Sequence, residues 1–200
     1  MRIYVIRHGQ SEANLVVAHA GWNQVPLTEK GVAQAKAVGE RLKGLHFDKV
    51  ISSDTYRAQQ TARNALPGRE YVTDSRLREI GVGKLEGHRV ADCAKELGEP
   101  YEIARTIRDF TPYGGESLQM MQRRVSEFMD ELTNEPDDAQ IAVFCHEGSV
   151  TCMLCHVLEC NLPRITALAD NCSISVFTFK KGNWIVNKWN ETGNVVPEAK

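Results

Sequence analysis

The sequence predicts a three-layer α/β/α sandwich with a mostly parallel central sheet and an antiparallel edge. Three observations predict it. Short apolar runs at 3–6, 49–52, 70–73 and 141–145 alternate with segments of helical periodicity. The last of these, Ile141-Ala142-Val143-Phe144-Cys145, is apolar throughout, as a fully buried strand is. Two further runs, 174–179 and 184–189, flank Lys181-Gly182-Asn183, a hairpin signal that adds antiparallel strands.

Each element follows from local chemistry. Ile3-Tyr4-Val5-Ile6 is β-branched and aromatic and reads as a buried strand. Residues 9–27 read as a polar loop with Gly21-Trp22-Asn23 and Pro26. Thr28 is expected to cap a helix that carries Val32, Ala35, Val38 and Leu42 on one face and stops at Gly44. After strand 49–52, Ser53-Asp54-Thr55 is expected to cap a second helix, which bears Arg57 in its first turn and ends at Pro67-Gly68. Leu77 to Gly87 is glycine-rich and carries Glu79 and Glu86. Residues 88–109 read as one or two helices interrupted near Gly98-Glu99-Pro100. Ser117 opens the best helix, whose apolar stripe is Leu118, Met121, Val125, Phe128 and Leu132. A last helix follows His146-Glu147-Gly148 to about Leu158, and the tail after Glu191 is expected to be loose.

A length of 200 residues with 42% hydrophobic and 25% charged residues suits one globular domain over 1–200. The net charge of -2 gives no reason to expect nucleic acid or an acidic membrane surface as partner. No stretch approaches the roughly 20 apolar residues of a membrane span. The chain enters a strand directly, without a secretion segment, so a cytoplasmic location is expected. The six cysteines are then expected to be reduced. Cys152-Met153-Leu154-Cys155-His156 has the spacing of a c-type haem attachment site, but it continues a buried helix and reads as core. No metal or other cofactor is expected, and oligomeric state is not legible.

The chemistry sits where strands end. Strand 3–6 leads to Arg7-His8-Gly9, strand 49–52 leads to Arg57, and strand 141–145 leads to His146. In an open α/β sheet, ligands bind just beyond the carboxyl ends of the strands. If these strands are parallel neighbours, two guanidinium groups and two imidazoles meet there. Arginine's forked donors match phosphate oxygens, and a helix start adds N–H groups and positive potential. An imidazole at the same centre can take a phosphoryl group. The leaving alcohol needs a proton, for which Glu12, Glu79, Glu86, Glu116 and Glu147 are candidates that spacing alone does not separate.

With these residues in view, Tyr4 to Asn14 (YVIRHGQSEAN) resembles the opening motif of the histidine phosphatase superfamily, the phosphoglycerate-mutase-like proteins. Further blocks resemble it in order: Gly21-Trp22 with Pro26-Leu27-Thr28, Ser52-Ser53-Asp54 with Arg57-Ala58, Leu77-Arg78-Glu79-Ile80, Gly114-Gly115-Glu116-Ser117, and Phe144-Cys145-His146-Glu147-Gly148. The resemblance implies a phosphoglycerate-mutase-like fold and a metal-independent phosphatase acting on a small phosphorylated metabolite. His8 would be the phosphorylated nucleophile and Glu79 the proton donor. Arg7, Arg57 and His146 would form the phosphate pocket with Asn14, and Gly21 would let backbone approach the substrate. A phosphoglycerate mutase and a non-catalytic phosphate-binding module are the alternatives. Residues 88–113, with Arg89, Arg105, Arg108 and Tyr113, are expected to form a small lid. One departure stands out: Glu147 occupies a position that is usually glycine in the family. It is expected to turn outward or to serve the leaving part of the substrate.

Overall fold

The computed structural model describes residues 1–160 and 167–193. The elements run β1 (Arg2–Arg7), α1 (Glu12–Val16), α2 (Glu29–Arg41), β2 (Lys49–Ser52), α3 (Tyr56–Ala65), β3 (Val72–Thr73), α4 (Val90–Leu97), α5 (Glu99–Ile107), α6 (Leu118–Leu132), β4 (Gln140–Cys145), α7 (Glu147–Val157), β5 (Ile174–Lys180) and β6 (Asn183–Glu191). They build a six-stranded sheet in the order β3-β2-β4-β1-β5-β6. The first four in that order are parallel, and β5 and β6 extend the sheet antiparallel. The α/β/α sandwich with an antiparallel edge is therefore as the sequence predicts.

Alternation along the strands feeds two cores. Ile3, Val5, Ile141, Val143 and Cys145 face α6 and α7, packing with Met121, Val125, Phe128 and Val150. Tyr4, Ile6, Val50, Ala142 and Phe144 face α2 and α3, packing with Ala35, Val38, Leu42 and Ala62. Burial of both faces is why β4 is apolar at every position from Ile141 to Cys145. Cys152 and Cys155 belong to the first of these cores, where burial pushes both thiols up to about 12. A third, smaller cluster of Val82, Leu85, Cys93, Tyr101 and Phe110 holds α4 and α5 beside the sheet. No helix among the described residues is long and apolar enough to cross a membrane.

Local chemistry sets the boundaries. Thr28 caps α2 by accepting from Gly31 N at 3.0 Å, and Ser117 caps α6 by accepting from Met120 N at 3.3 Å. Lys181 (φ 53°) and Gly182 (φ 76°) form the two-residue hairpin turn, both in the left-handed region that such turns require. Two details depart from expectation. The loop expected over 9–27 contains α1, a five-residue helix capped by Ser11 and Asn14. It is too short to show helical periodicity. The strand expected over 70–73 shrinks to Val72–Thr73, both exposed at the sheet edge. The expected loose tail falls mainly on 194–200, outside the described residues.

Register places the site. β1 pairs with β4 so that Arg7 lies beside Cys145, and β2 pairs with β4 so that Ser52 lies beside Phe144. His8, Ser53 and His146 therefore emerge together at one carboxyl edge, with the ladder continued by His8 N to Cys145 O at 2.9 Å and Ser53 N to Phe144 O at 2.8 Å.

Candidate active site

The rings of His8 and His146 are 5.1 Å apart between centroids. Both are buried. His8 Nδ1 lies 2.7 Å from the carbonyl oxygen of Gly9. A carbonyl can only accept, so Nδ1 carries the proton and Nε2 is left with its lone pair in the neutral ring. Burial, then the charges of Arg57 and Arg7, hold the His8 imidazole well below its ordinary value of 6.5. His146 Nε2 lies 3.0 Å from Ser53 Oγ and 3.1 Å from Thr55 Oγ1. Burial, then Arg57 and His8, hold it well below 6.5 too. Ser53 and Thr55 are thus not the helix cap they resemble. Thr55 occupies the cap position of α3 without a side-chain cap bond, and its hydroxyl orients His146.

These depressed values make folding pH-dependent. The unfolded chain takes up protons near 6.5, while the folded chain keeps both imidazoles neutral, so stability falls as pH drops below that value. Each histidine contributes on the order of 1 kcal/mol between pH 7 and 5.5, and the pair about twice that. Urea unfolding at the two pH values checks this. The double variant His8→Asn, His146→Asn should lose that share of the pH dependence, and an unchanged slope would count against the assignment.

Arg57, 1% exposed, donates to the carbonyls of Gly21 at 2.8 Å and Asn23 at 3.0 Å. Burial pulls its guanidinium down to about 10. Gly21 has φ 44°, and a Cβ there would stand 2.5 Å from Glu86 Oε1. The glycine thus lets the Glu86 carboxylate approach and accept from Trp22 N at 2.9 Å. Arg7 donates through Nη1 to the carbonyl of Ala169 and pairs with Glu147 Oε2 at 2.9 Å. Among the described residues, four buried polar side-chain atoms lack a hydrogen-bond partner, and three of them are Arg7 Nε, Arg57 Nε and His146 Nδ1. Their clustering around His8 marks a place prepared for an acceptor.

Asn14 is tied into the α1 cap: its Oδ1 accepts from Ser11 N at 3.0 Å and lies 3.5 Å from Asn171 Nδ2. Asn171 Nδ2 in turn donates to His8 O at 2.9 Å. The asparagine therefore borders the site through its capping role.

The structure separates the five carboxylates. Glu12 is exposed on α1. Glu86 serves Trp22, as described. Glu116 is held by Arg124 through two contacts, Nε to Oε1 at 2.9 Å and Nη2 to Oε2 at 2.8 Å. Arg124 also donates to the carbonyls of Arg76 and Arg78, each at 2.7 Å, and of Glu79 at 3.0 Å. That ion pair fixes the backbone that presents Glu79. Glu79 itself accepts from Ile80 N at 2.9 Å and from Gly148 N at 3.1 Å, at the start of α7. A Cβ at Gly148 would collide with Glu79 Oε1.

Glu79 and Glu147 both line a cavity of about 260 Å³, floored by Ile80, Val82, Leu118 and Met121. His19, Arg105, Arg108 and Phe110 complete its wall, whereas Arg89 and Tyr113 do not line it. Glu147 is not simply turned outward: it bridges the Arg7 guanidinium and this cavity. Sequence reasoning missed the Ser53 and Thr55 contacts to His146 and the Glu116–Arg124 clamp. Only the proximity of Ser53 to a strand end hinted at the first.

Comparison with known proteins agrees with this geometry. The chain is 33% identical over 161 residues to "Adenosylcobalamin/alpha-ribazole phosphatase" of Salmonella typhimurium, covering 79% of this chain and 80% of that one. It is 30% identical over 198 residues to "Probable phosphoglycerate mutase GpmB" of Salmonella paratyphi A, covering 94% and 90%. The crystal structure of the alpha-ribazole phosphatase from Shigella flexneri superposes with a TM-score of 0.91 at 26% identity, covering 99% and 100% of the two chains. The model of the histidine phosphatase superfamily (branch 1) matches residues 3–192, and the chain belongs to that superfamily.

Proposed function

We propose that this chain is a metal-independent phosphoric monoester hydrolase that works through a phosphohistidine at His8. The observation that carries the reading is the set of three buried, unpartnered donor-bearing atoms around a neutral imidazole. Leaving them unpaired is costly, and the oxygens of a phosphoryl group satisfy them together. His8 Nε2 attacks phosphorus as the ester P–O bond breaks. Glu79 gives its proton to the departing oxygen, then takes one from the water that attacks the P–N bond. Arg7, Arg57 and His146 hold the phosphoryl oxygens, with Asn14 at the border. The histidine at 146 serves as a donor through Nδ1 in the tautomer whose Nε2 accepts from the Ser53 or Thr55 hydroxyl.

The cavity beside Glu79 would receive the leaving part of a small phosphorylated metabolite, with 88–113 as a lid through Arg105, Arg108 and Phe110. The lid is tied at its base by Gly87 N to His19 O at 2.7 Å and Val90 N to Val17 O at 3.0 Å. One catalytic domain spans 1–200 in this reading. The unpaired cysteines support a reducing, cytoplasmic setting. Relatives of similar length carry both phosphatase and mutase names, so length does not separate the two outcomes.

Brief mixing with ³²P-labelled ester in the presence of a chelator should place acid-labile label on His8, followed by release of inorganic phosphate. Fast turnover without label, or loss of activity on chelation, would overturn the mechanism. Conversion of 3-phosphoglycerate to its 2-isomer, without phosphate release, would assign the mutase instead.

A further inference from the structure

We propose that Glu147 selects the leaving group. It accepts a hydrogen bond from a hydroxyl or other neutral donor on the leaving alcohol, and it turns away esters whose leaving part carries a second anion. This deepens the phosphatase reading and rests on it.

Three observations carry the inference. First, Glu147 opens α7 and places Oε2 2.9 Å from Arg7 Nη1, so it adjoins the phosphate cradle. Its neighbour Gly148 holds the Glu79 carboxylate at 3.1 Å, so it adjoins the proton donor as well. A substituent next to the ester oxygen therefore meets Glu147 early. Second, Glu147 Oε1 has no partner among the described residues, while its side chain lines the 260 Å³ cavity. Third, the other polar groups there are largely engaged. Glu79 uses its oxygens on two backbone N–H groups, Arg105 pairs with Glu102 at 2.9 Å, and His19 Nε2 shares a hydrogen bond with Tyr101 at 2.6 Å. The acceptor left for a ligand is Glu147.

Charge points the same way. Burial is the largest influence on the Glu147 carboxyl and raises it, and the charged groups around it are Arg7 on β1, Glu79 before α4, Arg108 at the end of α5 and Asp170 before β5. Arg7 belongs to the phosphate, and Arg108 is the cation that could draw a second anion. Such an anion would also face Glu147 across a partly buried cavity, where like charges repel strongly.

Glycerol 3-phosphate and 3-phosphoglycerate test this, because they differ only in a CH2OH against a carboxylate. The ratio of their kcat/KM values is independent of how much enzyme is folded, and both share the phosphate contact with Arg7. The wild type is expected to favour glycerol 3-phosphate by about tenfold or more. Glu147→Gln keeps an oxygen for Arg7 and drops the charge, and the ratio should fall by about fivefold or more. An unchanged ratio in Glu147→Gln overturns the proposal. So does a wild-type preference for 3-phosphoglycerate that Arg108→Gln abolishes, which assigns recognition to Arg108. Hydrolysis of p-nitrophenyl phosphate but of neither ester also overturns it. No release from any of the three overturns the phosphatase reading with it.

Discussion

Replacing Arg57 by methionine is expected to lower kcat/KM for phosphate esters about 10²- to 10³-fold while leaving the unliganded protein near its original stability. The two halves of this result have one cause. Arg57 is 1% exposed, and its side-chain partners are the carbonyls of Gly21 and Asn23. Burial is the largest influence on its guanidinium, which falls from 12.5 to about 10 despite attraction from Glu79 and Glu86. That depression corresponds to about 3 kcal/mol by which the empty site disfavours the charge. Methionine removes this cost but abandons two carbonyls, at about 1–3 kcal/mol each. The opposing effects are of similar size, so the net change should stay within about 3 kcal/mol. Binding is different. A phosphate-like dianion repays the buried charge, so vanadate should raise the melting temperature of the wild type and leave that of the variant unmoved. Retained activity with a retained vanadate shift would remove Arg57 from the site.

The second large effect belongs to Glu79→Gln, and its size should depend on the leaving group. For an alkyl phosphate the departing oxygen is strongly basic, and losing its proton donor should cost about 10²- to 10⁴-fold in kcat. For p-nitrophenyl phosphate the phenolate leaves without help, and the same variant should lose far less in the step that forms the phosphohistidine. Glutamine keeps the carbonyl oxygen that can accept from Gly148 N, so the start of α7 is preserved. Single-turnover rates on both esters give the comparison. An equal loss on both would mean that Glu79 acts on something other than the leaving oxygen.

Much of this was legible because it is local. Strand ends, the Thr28 and Ser117 caps and the Lys181-Gly182 turn are written in short windows, and the structure shows each where expected. The parallel register that joins Arg7-His8 to His146 was a condition of the sequence reading, because strands apolar on both faces carry no alternation to set it, and the β1–β4 pairing meets that condition. What stayed hidden is long-range. Ser53 and Thr55 reach His146 across more than 90 residues of chain. Locally they resemble an ordinary cap, and nothing in their spacing says that their hydroxyls turn to another strand. The Glu116–Arg124 pair is eight residues apart, but its purpose lies in carbonyls at 76, 78 and 79. Arg105 and Arg108 were indistinguishable from Arg89 until α5 had a direction. α1 escaped because five residues make barely more than one turn.

The start of α7 carries a further implication. His146, Glu147 and Gly148 each serve a different part: the imidazole carries an unpartnered ring nitrogen, the carboxylate steadies Arg7, and the glycine N–H holds Glu79. Three consecutive peptide units thus tie the His8 neighbourhood, the Arg7 guanidinium and the Glu79 carboxylate to one backbone trace. Substitutions there should be strongly epistatic, because a shift of one residue drags the other two. A laboratory search for new substrates would do better to leave 146 and 148 untouched and diversify 147 together with 105 and 108. That route alters what the enzyme accepts without detuning how it reacts.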